Sequence, residues 1–347
     1  MCDFVHSVWK DTCFLSHGLD LPLPKALSPK DSNLARFVQE TLEEAVMEIF
    51  QHTVEKKIVL EGEGVLSGEE IRVELLPAPP NHGIVFVRSD LSPVLEFPLK
   101  LDLVQAAEGC SVVGQGEGAI YFVEHLLAAL NGLSIDNLVV RVFGPEIPLF
   151  DGSARTFVEA ILSTGRRPQW SLRRYLRLEE EIAVSDGVGR VVLRPASELR
   201  LHCEIDFPHP VIGRQEIQLV LNQERFLSKL SLARTFGFLE DILAKRRAGI
   251  FRGGSLENAI VLDERQVLNP DGLRFPDEFV RHKALDLLGD LYLLGFPLLA
   301  RVEAYRSHHR LHVKALKTLL ARGFAWSWYP SPGRIPFRPS YAPTFAF

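Results

Sequence analysis

Cysteine is scarce in this chain of 347 residues: there are four, Cys2, Cys13, Cys110 and Cys203, with no Cys-x-x-Cys pair among them. That usage excludes a disulfide scaffold and fits a reduced compartment, so the expected location is the cytoplasm. Positive charge is not in excess either. With 39 basic and 44 acidic residues the net charge is -5, which argues against a general affinity for phosphate backbones, and no nucleic-acid partner is expected. No stretch approaches the roughly 20 unbroken apolar residues of a spanning helix. The start, MCDFVHSVWKDTC, has no basic segment followed by an apolar run, so neither a transmembrane segment nor secretion is indicated. With 46% apolar and 24% charged residues the composition is that of a globular protein, and the length exceeds one typical domain.

Periodicity divides the chain. Residues 1–45 read as an N-terminal extension: a Pro- and Ser-rich leader, then an amphipathic helix in which Leu34, Phe37, Val38, Leu42, Ala45, Val46, Ile49 and Phe50 recur at helical spacing. From Lys57 short alternating runs (KKIVLEG, EIRVELLPA, HGIVFVRSD) predict strands, followed by a helix over IYFVEHLLAALNGL, a strand over NLVVRVFG and a helix over GSARTFVEAILSTG. The basic segment RRPQWSLRRY reads as a linker. After it the order repeats, with strands LRLEEEIAVSD, GRVVLRP, ELRLHCEID and EIQLVL, helices over 224–248 and 276–295, strand LLARVEAYR and helix HRLHVKALKTLLA. The expected fold class is α+β, two similar domains at 46–168 and 175–323, each a mostly antiparallel sheet layered with helices. Residues 324–347, with five prolines, many aromatics and no acid, read as an irregular tail.

Four stretches carry candidate chemistry. In RFPDEFVRHKALDLLGDLYLLG, helical rotation stacks His282, Asp286 and Asp290 at successive i+4 steps. An imidazole and a carboxylate one turn apart can chelate a divalent cation. An i,i+4 ion pair on a solvated face is the plain alternative, but the leucines around it make unpaired charge costly to bury. In FVEHLLAAL, Glu124 and His125 open an otherwise apolar helix; a third ligand from His125 would leave a coordination position for water, whose proton Glu124 would accept. A dipole-favoured carboxylate beside a core histidine explains that pair equally well. In AYRSHHRLHVKAL, His308, His309 and His312 offer a general acid held by a carboxylate such as Asp290, or a surface cluster of titrating histidines. Arg234, Thr235, Phe236 and Phe238 in SLARTFGFLEDI suit polarising a carbonyl beside an apolar chain, or a packed strand end.

Taken together, EHLLAALNGLSIDN, PEIPLFDGSA, ARTFGF, GGSLENAIVLD, NPDGLRFPDEFVRHKALDLLGD and AYRSHH make the region from Lys57 to Ala321 resemble the UDP-3-O-acyl-N-acetylglucosamine deacetylase family, zinc-dependent enzymes of lipid A biosynthesis. The resemblance implies helical layers facing each other across the active site. It implies that His125, His282 and Asp286 bind zinc, ferrous iron being the other metal such ligands admit. It further implies that Glu124 is the base, that His309 is the acid supported by Asp290, that Lys283 and Thr235 stabilise the oxyanion, and that Phe236 contacts the nucleotide sugar. The implied reaction is deacetylation of UDP-3-O-(3-hydroxyacyl)-N-acetylglucosamine to the free amine and acetate. No obligatory protein partner is evident from the sequence.

Departures from the family pattern stand at Leu66, where a histidine is usual, at Tyr121 and Phe122 before the Glu-His pair, and at His308, where glycine is usual. His308 leaves two adjacent imidazoles as candidates for the acid, alignment favouring His309. The competing readings are a catalytically degraded paralogue that retains the UDP-sugar pocket, and a zinc amidohydrolase with another substrate.

Overall fold

Where apolar and polar residues alternate, one face of each strand turns inward, and the runs IVLEGE and EIRVELLP do so in the structure, a computed structural model describing residues 49–330. The helix expected over 34–50 lies outside the described residues except for its end, and there Phe50 opens a strand instead.

The first half runs β1 (Phe50–Val54), β2 (Ile58–Glu63), β3 (Glu70–Pro77), β4 (Ile84–Arg88), β5 (Leu95–Pro98), β6 (Val104–Ala107), β7 (Cys110–Val113), β8 (Ile120–Tyr121), α1 (Glu124–Gly132), β9 (Leu138–Phe143), α2 (Arg155–Thr164) and β10 (Arg166–Leu172). Strands β2-β3-β9-β4-β5 form its main sheet, and β6-β7-β8 a smaller one. The second half runs β11 (Tyr175–Leu178), β12 (Ile182–Ser185), β13 (Arg190–Pro195), β14 (Arg200–Phe207), β15 (Gly213–Val220), β16 (Phe236–Phe238), α3 (Leu239–Arg247), β17 (Ile260–Leu262), α4 (Glu278–Leu291), β18 (Leu298–Tyr305), α5 (His309–Ala321) and β19 (Trp326–Tyr329). Its sheet is built around β18, antiparallel to β13 and parallel to β11 and β14. The fold is thus α+β with mostly antiparallel sheets, the plan of the first half being repeated in the second. Among the described residues no helix is long and apolar enough to cross a membrane.

Three local expectations need correction. The basic segment expected as a linker supplies β10, which pairs antiparallel with β1. The tail expected to be irregular supplies β19, antiparallel to β11; Trp326 and Trp328 pack against the core, so the aromatics act as strand residues there. The helix expected over 224–248 is broken by β16, where Phe236, Gly237 and Phe238 pair in parallel with Ile260, Val261 and Leu262.

Helix α1 begins at Glu124, four residues later than the apolar run suggests. Phe122 adopts a φ of 60° and turns the chain between β8 and the helix. A left-handed phenylalanine costs about 1–3 kcal/mol, and its ring is held edge-on against Phe251, itself at φ 56°, with centroids 6.2 Å apart. These rings belong to a small apolar cluster with Val65, Leu66, Cys110, Val112, Tyr121 and Leu149. Leu66 and Tyr121, two of the departures from the family pattern, therefore sit in apolar packing.

All nine residues of α1 are buried, including its glutamate and histidine. The helix packs on α4 so closely that a Cβ added to Gly289 would lie 2.0 Å from the Glu124 carbonyl oxygen. Asn131 donates to the Leu288 carbonyl at 3.2 Å and the Tyr292 hydroxyl to the Ile135 carbonyl at 2.6 Å, tying the same pair of segments. One continuous apolar core runs through both halves, from Leu126, Leu127 and Leu130 to Leu285 and Leu288. Gly289→Ala must push α1 and α4 apart. Thermal unfolding should show a loss of about 1–3 kcal/mol, and a stability equal to the parent would disprove this account of the packing.

Candidate active site

Two sites on α1 and four on α4 meet where these helices touch. His125, the second residue of α1, faces His282 and Asp286 of α4, and all three are buried. His282 Nε2 lies 3.2 Å and His125 Nε2 3.7 Å from Asp286 Oδ1, and the two rings stand edge to face with centroids 5.1 Å apart. Each residue offers one ligand atom, and the three atoms lie within 4.8 Å of one another. His282 Nδ1 donates to the Ala233 carbonyl at 3.1 Å, which leaves Nε2 with its lone pair free for a cation.

The donor set fits a divalent metal of the zinc type. Two imidazole nitrogens and one carboxylate oxygen are the ligands such ions take. Burial and the neighbouring His282 push His125 down to about 3, so its imidazole is neutral and able to coordinate. Asp286 stays ionised: burial opposes its charge, but His282 and Lys283 outweigh burial and hold it well below the usual carboxylate range. A buried anion is costly without a counter-charge. The ammonium of Lys283, 2.9 Å from Asp286 Oδ2, supplies part of it. The Nδ1 of His125 is a buried nitrogen with no hydrogen-bond partner among the described residues.

Beside this triad lies Glu124. Its Oε2 accepts the Ser111 backbone N–H at 3.0 Å. Burial raises its pKa to about 8, against the opposing pull of His309. A carboxylate of that basicity can take up and release a proton near neutral pH. On the other side, His309 opens α5. Its Nδ1 is 2.7 Å from Asp290 Oδ2, and its Nε2 is turned toward the triad, 3.9 Å from Asp286 Oδ2. Burial disfavours the imidazolium, but the Asp290 carboxylate outweighs burial and raises His309 to about 9. A protonated imidazole aimed at the triad can act as a proton donor.

His308 is placed elsewhere. It is half-exposed and pairs with Asp186 at 2.6 Å, so of the two adjacent imidazoles the chain folds only His309 inward. Lys283 reaches the rim of the triad, its ammonium 5.7 Å from the centre of the Phe236 ring. Phe236 stands on β16, with its ring 6.4 Å from that of His282 and edge-on to Phe279 at 5.0 Å. Thr235, next to it, donates its N–H to the Gly152 carbonyl at 2.7 Å, which pins the strand start to the first half. All nine candidate residues except Thr235 and Phe236 are tied by the contacts described here to the α1, α4 and α5 junction; Phe236 borders it through His282 and Lys283.

At this junction Ser111 was not among the residues picked out by the sequence motifs, and His312 was picked out only as one of three clustered histidines. Ser111 on β7 donates its hydroxyl to Asp290 Oδ1 at 2.5 Å. A serine within the apolar run CSVV marks an inward polar group, and that was the available signal. His312 stands 2.6 Å from Asp290 Oδ2; its spacing of three from His309 places both imidazoles on one helix face.

Comparison with known proteins matches residues 51–321 to a family model described as LpxC, UDP-3-O-acyl N-acetylglycosamine deacetylase. The chain is 44% identical over 281 residues to the UDP-3-O-acyl-N-acetylglucosamine deacetylases of Shewanella sp. (strain W3-18-1) and Shewanella oneidensis, covering 80% of this chain and 92% of each relative. It is 43% identical over 284 residues to the protein of the same name from Myxococcus xanthus, covering 82% and 90%. The geometry makes a prediction that needs no substrate. Purified protein should carry about one equivalent of divalent metal, and His282→Ala should lose it, whereas His308→Ala should retain it; equal metal in both variants would remove the triad as the site.

Proposed function

We propose, on the premise that the chain belongs to the UDP-3-O-acyl-N-acetylglucosamine deacetylase family, that it hydrolyses the acetamide of UDP-3-O-(3-hydroxyacyl)-N-acetylglucosamine to the free amine and acetate in lipid A biosynthesis, with zinc held by His125, His282 and Asp286. One observation carries the reading. A base and a ligand from the first half, Glu124 and His125, meet two ligands and a proton donor from the second half in a single buried junction. The same reading keeps two domains, 46–168 and 175–323, with β10 running into the connection between them.

Bound there, zinc supplies a Lewis acid that lowers the pKa of water and polarises a carbonyl. The chain's own groups do the rest. Glu124 accepts the proton of the attacking water, its basicity raised by burial. His309 Nε2, protonated at neutral pH, gives a proton to the departing amine while Asp290 holds its Nδ1 side. The Lys283 ammonium and the Thr235 hydroxyl face the negative charge that grows on the carbonyl oxygen, and the Phe236 ring takes the sugar by apolar contact. The depth of the site, with every ionisable member but Lys283 buried, keeps bulk water from screening these charges.

The reading as a degraded sugar-binding paralogue rested on Leu66 and Tyr121. Both pack in an apolar cluster, and the ligand triad and Glu124 remain complete beside it, which favours turnover.

Release of acetate from the acylated nucleotide sugar is the direct test. Glu124→Ala should lower kcat by roughly two to four orders of magnitude with metal content unchanged; undiminished turnover would remove Glu124 from the mechanism. A second measurement concerns proton delivery. His309 must be protonated to act, so activity falls as pH rises through its pKa of about 9. Asp290→Asn removes the charge that raises that value while burial continues to lower it. The alkaline limb of kcat/KM should therefore move to lower pH; a limb that stays in place would exclude His309 as the titrating acid.

A further inference from the structure

Asp290 receives more hydrogen bonds than its service to His309 requires. Its Oδ2 takes Nδ1 of His309 at 2.7 Å and Nδ1 of His312 at 2.6 Å, and its Oδ1 takes the Ser111 hydroxyl at 2.5 Å. All four side chains are buried. The donors come from two elements, β7 and α5, and the carboxylate they hold from a third, α4. A carboxylate bonded through one oxygen to one imidazole is free to turn about its Cβ–Cγ bond; one gripped at both oxygens is not.

The far side of His312 is fixed as well. Its Nε2 lies 2.8 Å from the Ser307 hydroxyl. The two partners decide the tautomer between them: the carboxylate can only accept, so Nδ1 carries the hydrogen, and Nε2 of the neutral ring accepts from the serine. His309 and His312, one helical turn apart on α5, lie with ring centroids 6.1 Å apart and planes at 80°. The first faces the ligand triad, and the second stands behind the carboxylate that holds the first.

We propose that His312 is a positioning residue: as a neutral Nδ1–H donor it locks the Asp290 carboxylate, together with Ser111, in the one orientation that aims His309 Nε2 at the reacting amine. The role does not require His312 to change protonation. It rests on the reading of His309 as the proton donor. The three side chains also form a set of close donor atoms that resembles a cation site. With both Nδ1 atoms at hydrogen-bond distance from the same carboxylate oxygen, the arrangement is already satisfied by protons.

Two conservative variants separate the sides of the ring. His312→Asn places an amide nitrogen near the position of Nδ1 and keeps the donor to Asp290. His312→Gln reaches the position of Nε2 and Ser307 and leaves Asp290 without that donor. The expected result is a kcat roughly ten- to a hundredfold lower for H312Q, with KM within about twofold, and a kcat within a few-fold of the parent for H312N. Metal content should be equal in all three. Equal kcat values for the two variants, whether both high or both low, would overturn the proposal. If H312Q does not fold, the parent protein decides: histidine 15N spectra, with the His312 signals identified by their loss in H312N, should show a neutral ring protonated at Nδ1, and protonation at Nε2 instead would overturn it. A parent that releases no acetate defeats the underlying functional reading, whereas an active parent with indistinguishable variants defeats this proposal alone.

Discussion

The contact on which everything else depends is the approach of α1 to α4 at Gly289, where the chain of one helix leaves no room for a single carbon beyond the backbone of the other. That closeness is what brings side chains from distant stretches of sequence into ligand distance. Glu124 and His125 sit on the first turn of one helix, and His282, Asp286 and Asp290 on successive turns of the other. Leucines on both helices surround them, so the polar groups are buried in a core that would reject them singly. They persist because each has partners: Glu124 has the Ser111 amide, His282 the Ala233 carbonyl, Asp286 the Lys283 ammonium and Asp290 three donors.

Burial then sets the chemistry. The same low-dielectric surroundings push Glu124 upward and His125 downward, because each is less costly there in its neutral form. Asp286 and Asp290 go the other way, since cationic or donor neighbours outweigh burial. A neutral imidazole, an ionised carboxylate, a second carboxylate with raised affinity for protons and a cationic imidazole thus arise from one environment by differences in neighbours alone.

Much of the candidate site was legible in the sequence, for a physical reason. Three residues at i+4 spacing on an apolar helix can share only one face, so His282, Asp286 and Asp290 had to be together. A Glu-His pair inside EHLLAAL had to be buried. Ser111 left only a weak trace, a polar residue in the apolar run CSVV, with no periodicity to point it toward Asp290. His312 was visible as one of three histidines, but which imidazole turned inward depended on the start of α5 and on Asp186 taking His308 outward. In the fold, alternating strands and the later helices were readable. The parallel neighbours of β18, the break at β16 and the edge strand β19 were not, since strand partners are chosen by tertiary packing rather than local pattern. The start of α1 was read too early because the left-handed turn at Phe122 leaves no trace in a run of apolar residues.

One consequence concerns how this chain tolerates change in length. Four groups of the candidate site, His282, Lys283, Asp286 and Asp290, ride on a single unbroken helix from Glu278 to Leu291. Inserting or deleting one residue between them swings everything downstream by about 100° around the axis. Such an indel would carry the later groups to another face while leaving the hydrophobicity of the segment almost unchanged. Divergence in this stretch is therefore confined to substitution, and length variation must be absorbed in the loops outside it.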